Sequence, residues 1–426
     1  MKTNFQKTIF IVLIILLIYL PFQVFVQQLL QNTFHLGAEL SFWLAHWYEV
    51  FILMFFAISL FKKWRTEKKF SSWQILLSVF FIFGLISTVF LSIEFGRGIE
   101  GFRLDLLFLI MLFLATDLPE ELSGRLLNIY LLLSVLVSFW AVIERFLPVH
   151  YWQKILSFST DFGFGNYFVG LTPRSDSVFN GPSQLSSYLL PAAGLILVKI
   201  AKAKKPTLTH YLYYAVILLG IGFAYSRAAW IGLITLIFLS LVLIVKDWPK
   251  RFKIAFLSFA MILIPLLTVK TATGDTATAI FTHDTSQASH EIATATALGE
   301  MKNRLNEPVK LLFGSGLGSA GPLVLKYGDG LIPESWYLQV LLELGLAGLV
   351  FWLWLMIILF LDIVKVNAGL GLGLIAVSVT ALFLHTFADS PATSWTLFLL
   401  IGASLKGSSS TPACRQAGIC FTDKHR

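Results

Sequence analysis

Long apolar runs, separated by short polar intervals, recur along almost the whole chain. They fall at about 8–26, 43–61, 74–93, 104–116, 126–143, 185–201, 211–225, 228–245, 254–269, 336–361, 369–387 and 395–405. A helix that crosses a bilayer needs about 20 apolar residues. The pattern therefore predicts an all-α integral membrane protein with about twelve transmembrane helices. The runs at 104–116 and 395–405 are short for this. Only Ser226 and Arg227 separate the seventh run from the eighth, so a sharp turn is expected there. The first run ends in no small-x-small cleavage site, and it is expected to stay as an uncleaved first span.

Two polar intervals are long. The one at 144–184 carries Arg145, His150, Asp161, Arg174, Asp176 and the glycine-rich stretch from Phe162 to Asn166. The one at 270–333 opens on a helix-poor Thr/Ala stretch around 271–278. A helix is expected from about Ser289, with Pro308 ending it, and a turn-rich segment from Phe313 to Pro322 follows. Loops of such length are uncommon unless they serve a function or are disordered. The chain thus reads as a membrane domain over 1–406 with its large loop at 270–333, before the tenth span. After Gly407 the composition turns polar and linker-like, and 407–426 is expected to be a disordered tail.

Composition sharpens the class. Of 426 residues 57% are hydrophobic and 13% are charged. Soluble domains hold nearer 45–50% and about 25%. A soluble fold of this size has no room to hide the excess. The net charge of +8 follows from loop topology, because cytoplasmic loops collect Lys and Arg. With twelve spans, the basic loops at 62–69, 199–205 and 246–253 fall on one side with both termini. That side holds 21 of the 32 Lys and Arg and is expected to be cytoplasmic, in a bacterial cytoplasmic membrane. The long loops then lie outside. No basic stripe with interleaved aromatics points to nucleic acid. Cys414 and Cys420 are the only cysteines and fit neither a disulfide framework nor a zinc pattern. No cluster has metal-ligand spacing, so no metal and no cofactor are expected.

Arg227 is the first candidate site residue. A charge at membrane depth marks a pathway or a site by default; the plain alternative is snorkelling to the interface beside Trp230. A guanidinium suits bidentate phosphate binding. Arg174 precedes the sixth run, and its alternative is an ion pair with Asp176. Asn180 can meet a sugar or cap the next helix. Glu334, with Ser335 beside it, stands where the long loop re-enters the membrane. It can serve as a general base or simply favour a helix N-terminus. His290 sits at an expected helix start and has a pKa suited to proton transfer, or is a solvated loop residue. Arg304 is a further glycan contact or a solvated helix charge. The glycine run 314–321 lacks the Gly-Lys-Ser/Thr ending of a nucleotide loop. It either approaches a phosphate or sugar closely or makes a tight turn. His385 and Asp389 read as structural.

Four of these elements together resemble the O-antigen ligase and polymerase superfamily. Glu334-Ser335, nine residues, Gly345, two residues and Gly348 are similar to its signature, which opens on His. The stretch Tyr225 to Trp230 resembles its Ser-Arg element, and Arg174 to Tyr188 resembles its Arg, Phe, Asn and Pro element. Phe313 to Gly318 resembles its glycine motif. Order and spacing agree over about 174–361. The resemblance implies a fold related to the type C glycosyltransferases and a metal-independent inverting transfer outside the membrane. It implies an undecaprenyl-pyrophosphate-linked glycan as donor and a glycan or lipid as acceptor. Arg227 and Arg174 would then bind the pyrophosphate, and Glu334 or His290 would take the acceptor proton. Asn180, Ser335 and Arg304 would be glycan contacts. Glu334 stands where the ligases have His, which weakens any transfer of their lipid A core acceptor to this chain. The rival reading is a transporter or flippase of lipid-linked saccharide, but no match between the two halves of the chain supports it.

Overall fold

In the computed structural model the described residues are 2–65, 70–116, 118–147, 151, 155, 167–169, 171–269, 284–328, 330–388 and 390–405. They are almost wholly helical. The first half runs through α1 (Lys2–Tyr19), α2 (Gln23–Gln28), α3 (Ala38–Ala45), α4 (Trp47–Arg65), α5 (Ser72–Phe90), α6 (Phe95–Asp105), α7 (Ile110–Ala115) and α8 (Glu120–Glu144). A minimal hairpin of β1 (Phe168–Val169) and β2 (Thr172–Pro173) follows, pairing Phe168 with Pro173. Then come α9 (Pro182–Lys202), α10 (Leu208–Phe223), α11 (Arg227–Leu243) and α12 (Trp248–Leu267). The last elements are α13 (Asp284–Arg304), α14 (Pro308–Phe313), α15 (Val324–Tyr327), α16 (Trp336–Val366), α17 (Ala368–Thr380) and α18 (Pro391–Leu405).

Every apolar run of the sequence coincides with helix, but the runs are not equal. Among the described residues five helices are long and apolar enough to cross a membrane: Gln6–Thr33, Ser72–Phe90, Glu120–Glu144, Pro182–Lys202 and Trp336–Val366. The pair Ala38–Ala45 and Trp47–Lys62, bent by 40°, makes a sixth if it is one span. Other apolar helices are shorter: α10, α11, α17 and α18. The run at 104–116 is broken at Leu106, and the run at 369–387 stops being helix at Thr380. The surface carries the same message as the composition. Large apolar side chains such as Phe90, Phe238, Phe256 and Trp354 stand exposed around the bundle, and solvation by lipid removes the cost of leaving them there. The chain has the build of a multi-pass α-helical membrane protein.

The centre is α9, whose residues are nearly all buried. Small residues allow close approach between helices where no hydrophobic effect drives them together. A Cβ on Gly194 would strike the backbone of Gly369 and Gly373, and one on Gly373 would strike Pro191. Hence α17, through Gly369 and Gly373, lies directly on α9. A cluster of Trp336, Trp352, Phe387, Phe398 and Phe108, with neighbouring ring centroids 5.1–6.4 Å apart, joins α16 to the chain on either side of it.

Candidate functional site

The turn between α10 and α11 organises one end of the bundle. Tyr225 has φ +47°, a left-handed conformation that costs a bulky residue on the order of 1–3 kcal/mol. The strain is offset by its side chain. Tyr225 Oη donates to the Pro265 carbonyl at 2.7 Å and lies 3.0 Å from Thr268 Oγ1. The segment after β2 docks on this turn. Ser175 N donates to Phe223 O at 3.0 Å, and Arg174 Nε donates to Ala224 O at 2.9 Å. Arg174 and Arg227 are thereby held beside one turn. Arg174 keeps some exposed surface but sits deep among protein atoms. Burial first, and then the positive charge of Arg227, lower its pKa to about 10. It remains a cation at neutral pH.

A third arginine joins them. Arg145 follows α8, and its Nη2 donates to Thr268 O at 3.0 Å, while its guanidinium also meets the Tyr225 hydroxyl. Among the described residues no carboxylate pairs with Arg145. Asp176 attracts Arg174, but the Arg174 Nε goes to a backbone carbonyl rather than into the alternative ion pair. The buried acids of this region serve the backbone. Glu144 accepts from Asp176 N at 3.0 Å, Ser177 N at 2.7 Å and Tyr151 Oη at 2.8 Å, and it touches the Asp176 carboxyl. Arg227 repels Arg174, and an anionic ligand would relieve that repulsion.

The end of α17 links this turn to the start of α16. Thr380 Oγ1 lies 3.4 Å from Ala228 O, next to Arg227. The following Ala381 carbonyl accepts from Trp336 N at 3.0 Å, with Ser335 Oγ at 3.5 Å. Glu334 is half-buried beside Ser335. Ser335 occupies the N-cap position of α16, though its side chain makes no capping bond. Arg174, Arg227, Glu334 and Ser335 thus stand on adjoining elements at one end of the bundle.

Other expectations are corrected. Asn180 does not cap α9: Pro182 occupies the first turn and Gly181 is the N-cap residue. Instead the buried Asn180 Oδ1 has no hydrogen-bond partner, an acceptor that a hydroxyl would satisfy. Arg304 is neither a solvated charge nor open to a glycan. It is 5% exposed, and its nitrogens donate to Glu300 Oε1 at 3.1 Å, Leu342 O at 2.6 Å and Ser315 Oγ at 2.8 Å. The helix carrying His290 starts at Asp284, earlier than expected, and the His290 side chain lies outside the described residues. So do Asp161, Asp389, the Phe162–Asn166 stretch, the 271–278 stretch and the 407–426 tail.

Sequence reading missed a second polar constellation. His385 Nδ1 is 2.8 Å from Gln339 Oε1, and Gln339 Nε2 donates to Asp105 Oδ1 at 3.0 Å. Asp105 meets the Glu343 carboxyl, and Glu343 Oε1 accepts from Gly318 N at 3.0 Å and Ala320 N at 3.2 Å. Glu343 thus holds the glycine loop against α16. In that loop Gly314, Gly316, Gly318 and Gly321 all have positive φ, as does Gly345 at the kink of α16. A Cβ at Gly314, Gly316, Gly318 or Gly345 would strike the protein's own backbone, and one at Gly321 would strike the Gln339 side chain, so the loop is a tight turn rather than a ligand cradle. Glu343 is the one charged residue in the run 336–361, and that was the available signal. Glu343→Ala strands two buried N–H groups, each at roughly 1–3 kcal/mol. A marked fall in apparent melting temperature in detergent is expected, and a smaller one for Glu343→Gln, which keeps an acceptor oxygen. Equal melting of Glu343→Ala and the unmodified protein would refute this role.

Among the described residues no group of three His, Cys, Asp or Glu side chains is placed to hold a metal ion. The turn gathers Arg145, Arg174 and Arg227, and Glu334 stands on an adjoining element. No protein-family model matches the chain, and no curated protein matches it significantly.

Proposed function

We propose that the protein is a metal-independent inverting glycosyltransferase of the O-antigen ligase and polymerase type. It transfers or polymerises an undecaprenyl-pyrophosphate-linked glycan onto an acceptor sugar or lipid, outside a bacterial cytoplasmic membrane. The convergence of Arg145, Arg174 and Arg227 on the Tyr225 turn, one link away from Glu334, carries this reading. The proposal includes twelve spans and a fold of the type C glycosyltransferase kind, with both termini cytoplasmic.

In this mechanism an acceptor hydroxyl attacks the anomeric carbon of the donor. Its proton passes to the Glu334 carboxylate, with His290 as the second candidate base. The bond from the anomeric carbon to the pyrophosphate oxygen breaks, and undecaprenyl pyrophosphate leaves with the bonding pair. Negative charge grows on that oxygen, where the fixed guanidiniums stabilise it. Asn180 and Ser335 would meet sugar hydroxyls. The membrane confines the donor near the site and raises its effective concentration.

Purified protein in sealed liposomes, with an undecaprenyl-pyrophosphate oligosaccharide as the sole sugar lipid and a panel of acceptors, tests this. A longer or newly attached glycan on a gel is expected. Lipid-linked sugar that crosses the bilayer chemically unchanged would replace the transferase with a flippase.

A further inference from the structure

The opposite end of the bundle holds a cleft of 580 Å³ between the start of α8, the end of α9, the start of α10 and the junction of α16 with α17. Its wall is apolar, made by Leu127, Leu131, Leu195 and Val198, and its mouth is polar, with Asn128, Lys199, Lys202 and His210. The size lies in the range of small-molecule sites. Lys199 Nζ donates to the neutral Asn128 Oδ1 at 3.1 Å. Among the described residues neither Lys199 nor Lys202 forms an ion pair. His210 is fixed by a 2.6 Å contact between its Nδ1 and Thr207 Oγ1. The acids nearest in sequence, Glu120 and Glu121, lie at the first turn of α8.

We infer that this cleft binds the headgroup of an anionic phospholipid. The phosphate sits between Lys199 and Lys202, and the glycerol and first acyl carbons lie along the leucine wall. Charge complementarity selects an anion. The apolar wall selects one attached to a hydrocarbon chain, since a free phosphate gains nothing from a wall of aliphatic side chains. Basic pockets between membrane helices at the cationic face of a protein hold such headgroups, with each lysine contributing about 1 kcal/mol. The site is independent of the proposed transfer reaction, as it lies at the other end of α8 and α9.

Native mass spectrometry of the full chain in mild detergent tests this, with phosphatidylglycerol and phosphatidylcholine of the same acyl chains. The unmodified protein is expected to retain phosphatidylglycerol roughly thirtyfold more tightly, as two lysine contacts imply. The double variant Lys199→Gln, Lys202→Gln is expected to lose the preference. Leu127→Trp, which fills the wall and leaves both lysines in place, is expected to weaken retention of phosphatidylglycerol. Equal retention of the two lipids by the unmodified protein, or a preference that survives in the double variant, would overturn the inference. So would inorganic phosphate raising the melting temperature as much as phosphatidylglycerol at equal concentration. An unaltered melting temperature of each variant in lipid-free detergent shows that it is folded.

Discussion

Arg227→Ala is expected to lower kcat/KM for the lipid-linked donor by about 10²–10³. The guanidinium stands at the first residue of α11, after a turn whose strained Tyr225 is anchored to Pro265 and Thr268. A charge held in advance needs no reorganisation when the leaving pyrophosphate gains electron density. The loss should therefore fall mainly on kcat. Arg227→Lys is expected to recover only part of it, because an ammonium keeps the charge and loses the forked geometry. Arg174→Ala should cost as much activity and some stability besides, as it also removes the bond to the Ala224 carbonyl. The two losses should not add, since both cations serve one anion. Steady-state kinetics in proteoliposomes read all of this. Unchanged kinetics in Arg227→Ala would remove the arginine from the reaction.

Glu334→Gln is expected to lower kcat by about 10²–10⁴, the usual contribution of a general base, while donor binding stays near that of the unmodified protein. Glutamine keeps the shape of the side chain. Loss of a carboxylate next to a helix N-terminus costs only about 0.3–1 kcal/mol, so the fold should survive. Direct binding of donor lipid and single-turnover rates separate the two effects. Weakened donor binding at an unchanged chemical rate would make Glu334 a binding residue only. Full activity in Glu334→Gln with loss in His290→Gln would move the base to His290.

The helical membrane architecture was legible because apolar runs of spanning length cannot serve a soluble fold. The number of crossing helices was less so. Hydropathy does not register the break at Leu106 or the end of α17 at Thr380, both of which depend on backbone geometry. Arg227 stood out because two spans met around it with almost no loop. Arg145 did not, since its role depends on Tyr225 taking a left-handed conformation and reaching across to Thr268. Arg304 was misread for a related reason. Its helix is largely polar, and only tertiary docking brings it under the Leu342 carbonyl. Asn180 fails to cap because Pro182 favours the first helical position, which moves the cap to Gly181. Glu343 is visible as a lone charge in an apolar run, but hydropathy registers the length of the run and not its exception.

The most direct test of the central claim is the release of undecaprenyl pyrophosphate from reconstituted protein, followed alongside formation of new glycosidic bonds. One molecule released per bond formed, with inversion at the anomeric carbon and loss of both signals in Arg227→Ala, is the expected result. Bond formation without release of undecaprenyl pyrophosphate, or release that persists unchanged in Arg227→Ala, would contradict it.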